Sequence, residues 1–128
     1  MKMSARSVST ALLLIIIFCV GILILEVQTK FVRRTYDEIF LDNRNHYLRC
    51  EQLPLEIEVR RVMEEHQDVI REIEQINPGF VGVEIDNSIC PGKADIFFWY
   101  GIHEDRLRIE DLIAGKTFYG IPYRLQNR

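Results

Sequence analysis

With 128 residues the chain has room for at most one compact domain. Its formal net charge of −3 is unevenly spread, +4 over residues 1–34 and −7 over residues 35–128. An acidic domain repels phosphate backbones, which argues against a nucleic-acid partner.

The first element is apolar. From Ala11 to Leu25 every residue is apolar or Gly, and Val8, Ser9 and Thr10 extend the uncharged run to 18 residues. That is enough for a helix to cross a thin bilayer, and it has none of the polar face a soluble core helix would show. The run ends in Ile24-Leu25-Glu26-Val27, without the small residues a signal peptidase needs. Phe18, not a small residue, precedes Cys19, which argues against a lipoprotein site. Residues 1–25 therefore read as a basic head and a retained signal anchor, with Cys19 a small apolar residue in lipid. Lys2 and Arg6 precede the span, and Lys30, Arg33 and Arg34 follow it. The positive-inside rule is nearly balanced by these. The short basic head favours a single-pass protein with its N-terminus inside and its domain extracytoplasmic. Lys30, Arg33 and Arg34 also suit contact with lipid headgroups.

Residues 26–45 form a juxtamembrane helix or linker, with Val32, Tyr36, Ile39 and Phe40 on one helical face. It either continues out of the membrane or lies at its surface. The domain proper is 46–128. Tyr47 to Glu51 reads as a strand or as the tail of the preceding helix. Pro54 suits the first turn of a helix. Leu55, Val59, Val62, His66, Val69, Ile73 and Ile76 repeat at spacings of four and three, a helix of about six turns stopped by Asn77-Pro78-Gly79. Two alternating strands follow, Phe80–Asp86 and Ala94–Tyr100, joined by a polar segment holding Cys90-Pro91-Gly92. Residues 103–114 make a second helix with an acidic first turn and Gly115 at its end. Phe118–Leu125 suits a last strand, with Pro122 marking an edge or bulge.

The fold class expected is α+β: two helices over a four-stranded sheet in the ferredoxin-like strand-helix-strand-strand-helix-strand order, or a related helix-on-antiparallel-sheet domain. The main rival keeps residues 46–52 helical and leaves three strands. In the ferredoxin-like plan the first strand finishes beside the hairpin, so Cys50 and Cys90 come within disulfide reach. Such a bridge closes a 40-residue loop and contributes about 3–4 kcal/mol in the chain-entropy model.

Chemical signals are sparse. Cys50 and Cys90 form no Cys-x-x-Cys, and no His or Cys pair has metal-ligand spacing. No cofactor fingerprint or catalytic motif is present. His66, on the apolar helix face, reads as a half-buried residue with one satisfied hydrogen bond. Glu104, Asp105, Glu110 and Asp111 read as a solvated helix face rather than paired catalytic carboxylates. The aromatic residues are more telling. If the helices cover Val81, Val83, Ile85, Ile96 and Phe98, then Phe80, Phe97 and Trp99 share the opposite face, joined by Tyr119 or Tyr123. Arg124 would be a polar anchor beside them. An apolar sheet face of this kind calls for a protein partner, self-association or an intramolecular cover. The expected function is a single-pass, membrane-anchored, non-catalytic interaction or accessory domain, with Phe97, Trp99 and Tyr119 as contacts. The rivals are a thiol-redox or metal-handling protein using Cys50 and Cys90, and a small enzyme of unfamiliar design.

Overall fold

The computed structural model describes residues 5–128, with side chains from Val8 onward. Lys2 and the side chain of Arg6 lie outside the described residues. The chain divides into two compact units at the Thr35–Tyr36 boundary.

Helix α1 runs Ala5–Thr29, and its stretch Val8–Thr29 is long and apolar enough to cross a membrane. These 22 residues rise about 33 Å, against a hydrocarbon core of about 30 Å. No part of its apolar window is buried in protein, and Cys19 is an exposed free thiol. The segment expected to be one helix from residue 26 is broken at Lys30, whose φ is 53°. Helix α2 follows at Phe31–Phe40. The Thr29 hydroxyl accepts the Phe31 N–H at 3.3 Å, and the Glu26 carboxylate accepts those of Val32 and Arg33 at 2.7 and 3.3 Å. These bonds satisfy first-turn donors that a new helix would otherwise leave bare.

The second unit is an α+β domain. Tyr47–Glu51 forms no strand; Cys50–Gln52 is one 3-10 turn. The expected long helix is two, α3 at Glu56–Glu65 and α4 at Gln67–Glu74. The break is His66, at φ −118° and ψ 34°. Strands β1 (Val81–Asp86) and β2 (Asp95–Tyr100) pair antiparallel in the expected register of faces, with Val83 opposite Phe98 and Ile85 opposite Ile96. Helix α5 spans His103–Ile113 and ends on Ala114 at φ 50°, one residue before the expected Gly115.

The last strand is a hairpin instead of a single strand. β3 (Thr117–Phe118) turns through Tyr119 and Gly120, at φ 50° and 90°, into β4 (Ile121–Asn127). Positive φ at both central residues is the two-residue turn whose twist suits a tight hairpin. The sheet order is β1-β2-β4-β3, with β2 and β4 parallel. The sheet is therefore mixed, not antiparallel. β4 stands beside β2, the place the ferredoxin-like order gives to its first strand, and Tyr47–Glu51 is left outside. The far edge of β4 is extended by one bridge, Arg44 to Leu125.

Helices α3, α4 and α5 pack on one face. Val59, Ile70, Ile73 and Ile109 meet Val81, Ile96, Phe98, Tyr100, Phe118, Tyr123 and Leu125 in one core.

Candidate functional site

Three parts of the domain carry its polar groups and the aromatic residues of the sheet face away from the helices. The first is the hairpin corner. Cys50 and Cys90 are joined in a disulfide with Cα atoms 5.5 Å apart. They meet although the strand expected to deliver Cys50 is absent. A single bridge, Leu55 to Lys93, and the Ala94 N–H donating to Pro54 O at 3.2 Å bring the two segments together instead.

Beside the disulfide lies a pocket of about 120 Å³ with His46, Asp86, Asp95 and Arg124 in its wall. Asp86 and Asp95 face each other across β1 and β2, and Arg124 arrives from β4. Asp95 is only 4% exposed. Arg124 grips it with two bonds, Nε to Oδ2 at 2.6 Å and Nη2 to Oδ1 at 3.1 Å, and also reaches Asp86. Burial opposes the charge of Arg124, but the two carboxylates hold its pKa above the usual value. Asp86 is lowered to about 2, foremost by the Ser88 hydroxyl, against its partial burial, and further by the Ser88 amide and Arg124.

His46 has a fixed role in this group. Its Nδ1 accepts the Leu48 N–H at 2.9 Å, so that nitrogen carries no proton. Nε2 is then the protonated one and donates to Asp95 Oδ2 at 2.7 Å. Both ring nitrogens are engaged, and all four carboxylate oxygens of Asp86 and Asp95 have partners. The arrangement ties residues 46–48 to the sheet through one hydrogen-bonded network. Among the described residues, no three His, Cys, Asp or Glu side chains are placed to hold a metal ion.

The second part is the sheet face opposite the helices. Phe97 lies there but is 5% exposed, covered by the guanidinium groups of Arg124 and Arg128 at 5.4 and 4.6 Å from its ring centroid. Trp99 is half-buried; its indole N–H donates to Glu84 at 3.2 Å and its ring occupies the space beside Gly82. A Cβ at Gly82 would fall 2.3 Å from Trp99 Cζ2, so only glycine lets the ring rest there. Gly82→Ala should therefore lift the chain's single tryptophan from the sheet. We expect its fluorescence to shift to the red and become more open to iodide quenching; an unchanged spectrum would refute this packing.

Tyr119 is not part of that face. It sits at the tip of the β3–β4 turn, stacked on His66 with centroids 3.4 Å apart, on the helix side. Phe80 is exposed just ahead of β1, and Tyr123 is buried in the core against Phe98. The surface that remains around Trp99 is made of Glu84, Gln126 and Arg128, all exposed.

A further polar group anchors α5. Arg106, 7% exposed, binds Asp42 at 2.8 Å, Glu110 at 3.2 Å and Glu38 at 3.8 Å. His103 joins Asp42 at 2.8 Å, and the Tyr100 hydroxyl donates to the Asp42 carbonyl. Burial pushes the Asp42 pKa up, but the bonds from His103 and Arg106 outweigh it and hold it below the usual carboxylate value. Asp105 is buried and takes a 2.9 Å bond from Asn77. The solvated-face reading thus fails for Asp105 and Glu110. Their signal was faint: both lie in a run of acidic and basic residues, and only the fold brings Asn77 and Arg44 to them.

No protein family, curated protein or solved structure matches this chain.

Proposed function

We propose that the protein is a single-pass, membrane-anchored accessory protein whose domain stands on the extracytoplasmic side and binds another protein through the open sheet face. The observation that carries this reading is the surface around Trp99. The helix layer occupies one side of the sheet, and the other side offers a half-buried Trp between Glu84, Gln126 and Arg128. Trp and Arg are the side chains that most often anchor protein interfaces. Arg124 and Arg128 are already held in place over Phe97, which lowers the ordering cost of a contact. The disulfide supports an oxidising compartment, and the apolar Val8–Thr29 helix supports the tether. A tether raises the effective concentration for partners in the same membrane.

Photocrosslinking in native membranes tests this. A photoreactive residue at Gln126 should give a discrete protein adduct, and one at Arg61 on α3 should not. Trp99→Ala should abolish the adduct with the far-UV circular dichroism unchanged. Equal labelling from both positions, or no adduct, would remove the sheet face from consideration. Collapse of the dichroism would show that Trp99 is structural and is no contact residue.

A further inference from the structure

Helix α2 is attached to the domain the wrong way round for a soluble protein. A helix on a globular domain turns its apolar stripe inward and its charges to water. Here the inward side is polar. Asp37 accepts the Tyr47 hydroxyl, and its carbonyl accepts the Asn43 N–H at 2.8 Å. Glu38 pairs with Arg106, which Asp42 and Glu110 hold in turn. Asp37 and Glu38 lie on the opposite side of the helix from Tyr36, Ile39 and Phe40, by the 100° step of an α-helix. Those three are 53%, 70% and 72% exposed, and no residue of α2 is buried. The Tyr36 and Phe40 rings stack at 5.1 Å, forming a ready apolar plate, with Leu41 also exposed beyond it.

What covers this plate is indicated by the chain itself. One residue, Lys30, separates α2 from the apolar stretch Val8–Thr29, so α2 begins where a span formed by that stretch would leave the hydrocarbon. Val32 continues the stripe towards the span and is 56% exposed. Aromatic and aliphatic side chains on one face, with charge on the other, are the pattern of a helix lying in the headgroup boundary. We propose that α2 seats the domain on the lipid bilayer, with Tyr36, Ile39 and Phe40 in the acyl boundary and Asp37 and Glu38 gripping the domain above. The partner of this surface is lipid, and the seating fixes which way the domain faces. The inference rests on the membrane anchor of the proposed function but is independent of the Trp99 surface.

Spin-label accessibility on the full chain tests it. The chain, in a Cys19→Ser background with its disulfide intact, is reconstituted into vesicles of phosphatidylcholine and phosphatidylserine. Nitroxides are placed by Ile39→Cys, Phe40→Cys and, as a water-exposed reference on α3, Arg61→Cys. Labels at 39 and 40 should collide severalfold more with oxygen than with a water-soluble nickel chelate, and the label at 61 should show the reverse. Nickel accessibility at 39 and 40 equal to that at 61 would overturn the seating. So would strong spin–spin broadening at 39 and 40, which would mean that a second copy covers the plate. Alkaline carbonate washing separates the two levels. Chains that stay with the vesicles but show water-exposed labels refute the seating alone. Chains released by carbonate refute the anchor, and the seating with it.

Discussion

Replacing Cys50 and Cys90 together by serine is expected to destabilise the domain by about 4 kcal/mol, the chain-entropy value for a loop of this length before any native strain is subtracted. The bond links positions 40 residues apart, and those residues include α3, α4 and β1. Cutting it lets the unfolded chain expand, while the folded chain keeps its local ties at the same corner. The Leu55–Lys93 bridge and the Glu56 N–H donating to Gly92 O at 3.2 Å remain. The variant should therefore fold, with a melting temperature lower by roughly 15–25 °C for a unit of this size. Calorimetry of the full chain in detergent, oxidised against serine variant, gives the measurement. A fall of only a few degrees would show that the bond hardly restrains the unfolded chain, and would favour a redox role for this corner.

Arg124→Met is expected to cost about 3–5 kcal/mol, the usual penalty for removing one partner of a buried pair. Methionine keeps much of the volume, so the loss comes from charge. Asp95 is left buried with His46 as its remaining partner, and Asp86 stands opposite it across the two strands. Phe97 also loses one of its two covers. Adding Asp95→Asn should recover part of the loss, because the amide removes the unpaired charge and its oxygen still accepts from His46. Urea unfolding of the single and double variants separates the cases. No recovery in the double variant would mean that packing, not charge, carries the effect.

Acid should act through the same corner. Asp86 has its pKa held at about 2 against an ordinary value of 3.8. Its contribution is complete above the ordinary value and is lost as the pH falls toward 2. Asp42, also lowered, adds loss in the same direction. Because Ser88 leads the causes for Asp86 and Arg124 adds to them, the Arg124→Met variant should keep only the part of that acid dependence that comes from the Ser88 bonds.

The sequence disclosed the periodic parts of the fold. The β1–β2 hairpin was legible because Val81, Val83 and Ile85 alternate against Ile96 and Phe98, and burial of one face fixes the register. The Cys50–Cys90 contact was reached by a strand that does not form; the segments converge anyway, through Pro54 and Ala94. The break at His66 left no trace, because the apolar spacing of α3 and α4 runs straight through it. The β3–β4 turn did leave one, Tyr119-Gly120, but the apolar residues on both sides read equally well as one strand. The polar corner was hidden by distance: His46, Asp86, Asp95 and Arg124 are ordinary loop and strand residues until the sheet gathers them. A hint lay in Asp95 and Arg124, charged residues on the same face as Phe97 and Trp99.

The bridge between Arg44 and Leu125 has a mechanical consequence. Arg44 and Leu125 exchange two backbone bonds, at 2.8 and 2.9 Å, and the Asn127 N–H donates to Asn43. Tension drawn from the N-terminal side meets the ties of Glu38 and Asp42 to Arg106 first, then this stitch, and passes into β4, beside the central strand β2, before it reaches α3 or α4. The disulfide then short-circuits everything between positions 50 and 90, removing about 130 Å of extensible chain. A stretched molecule would thus yield in small first steps at these ties and at the stitch, and stop well short of its full contour length.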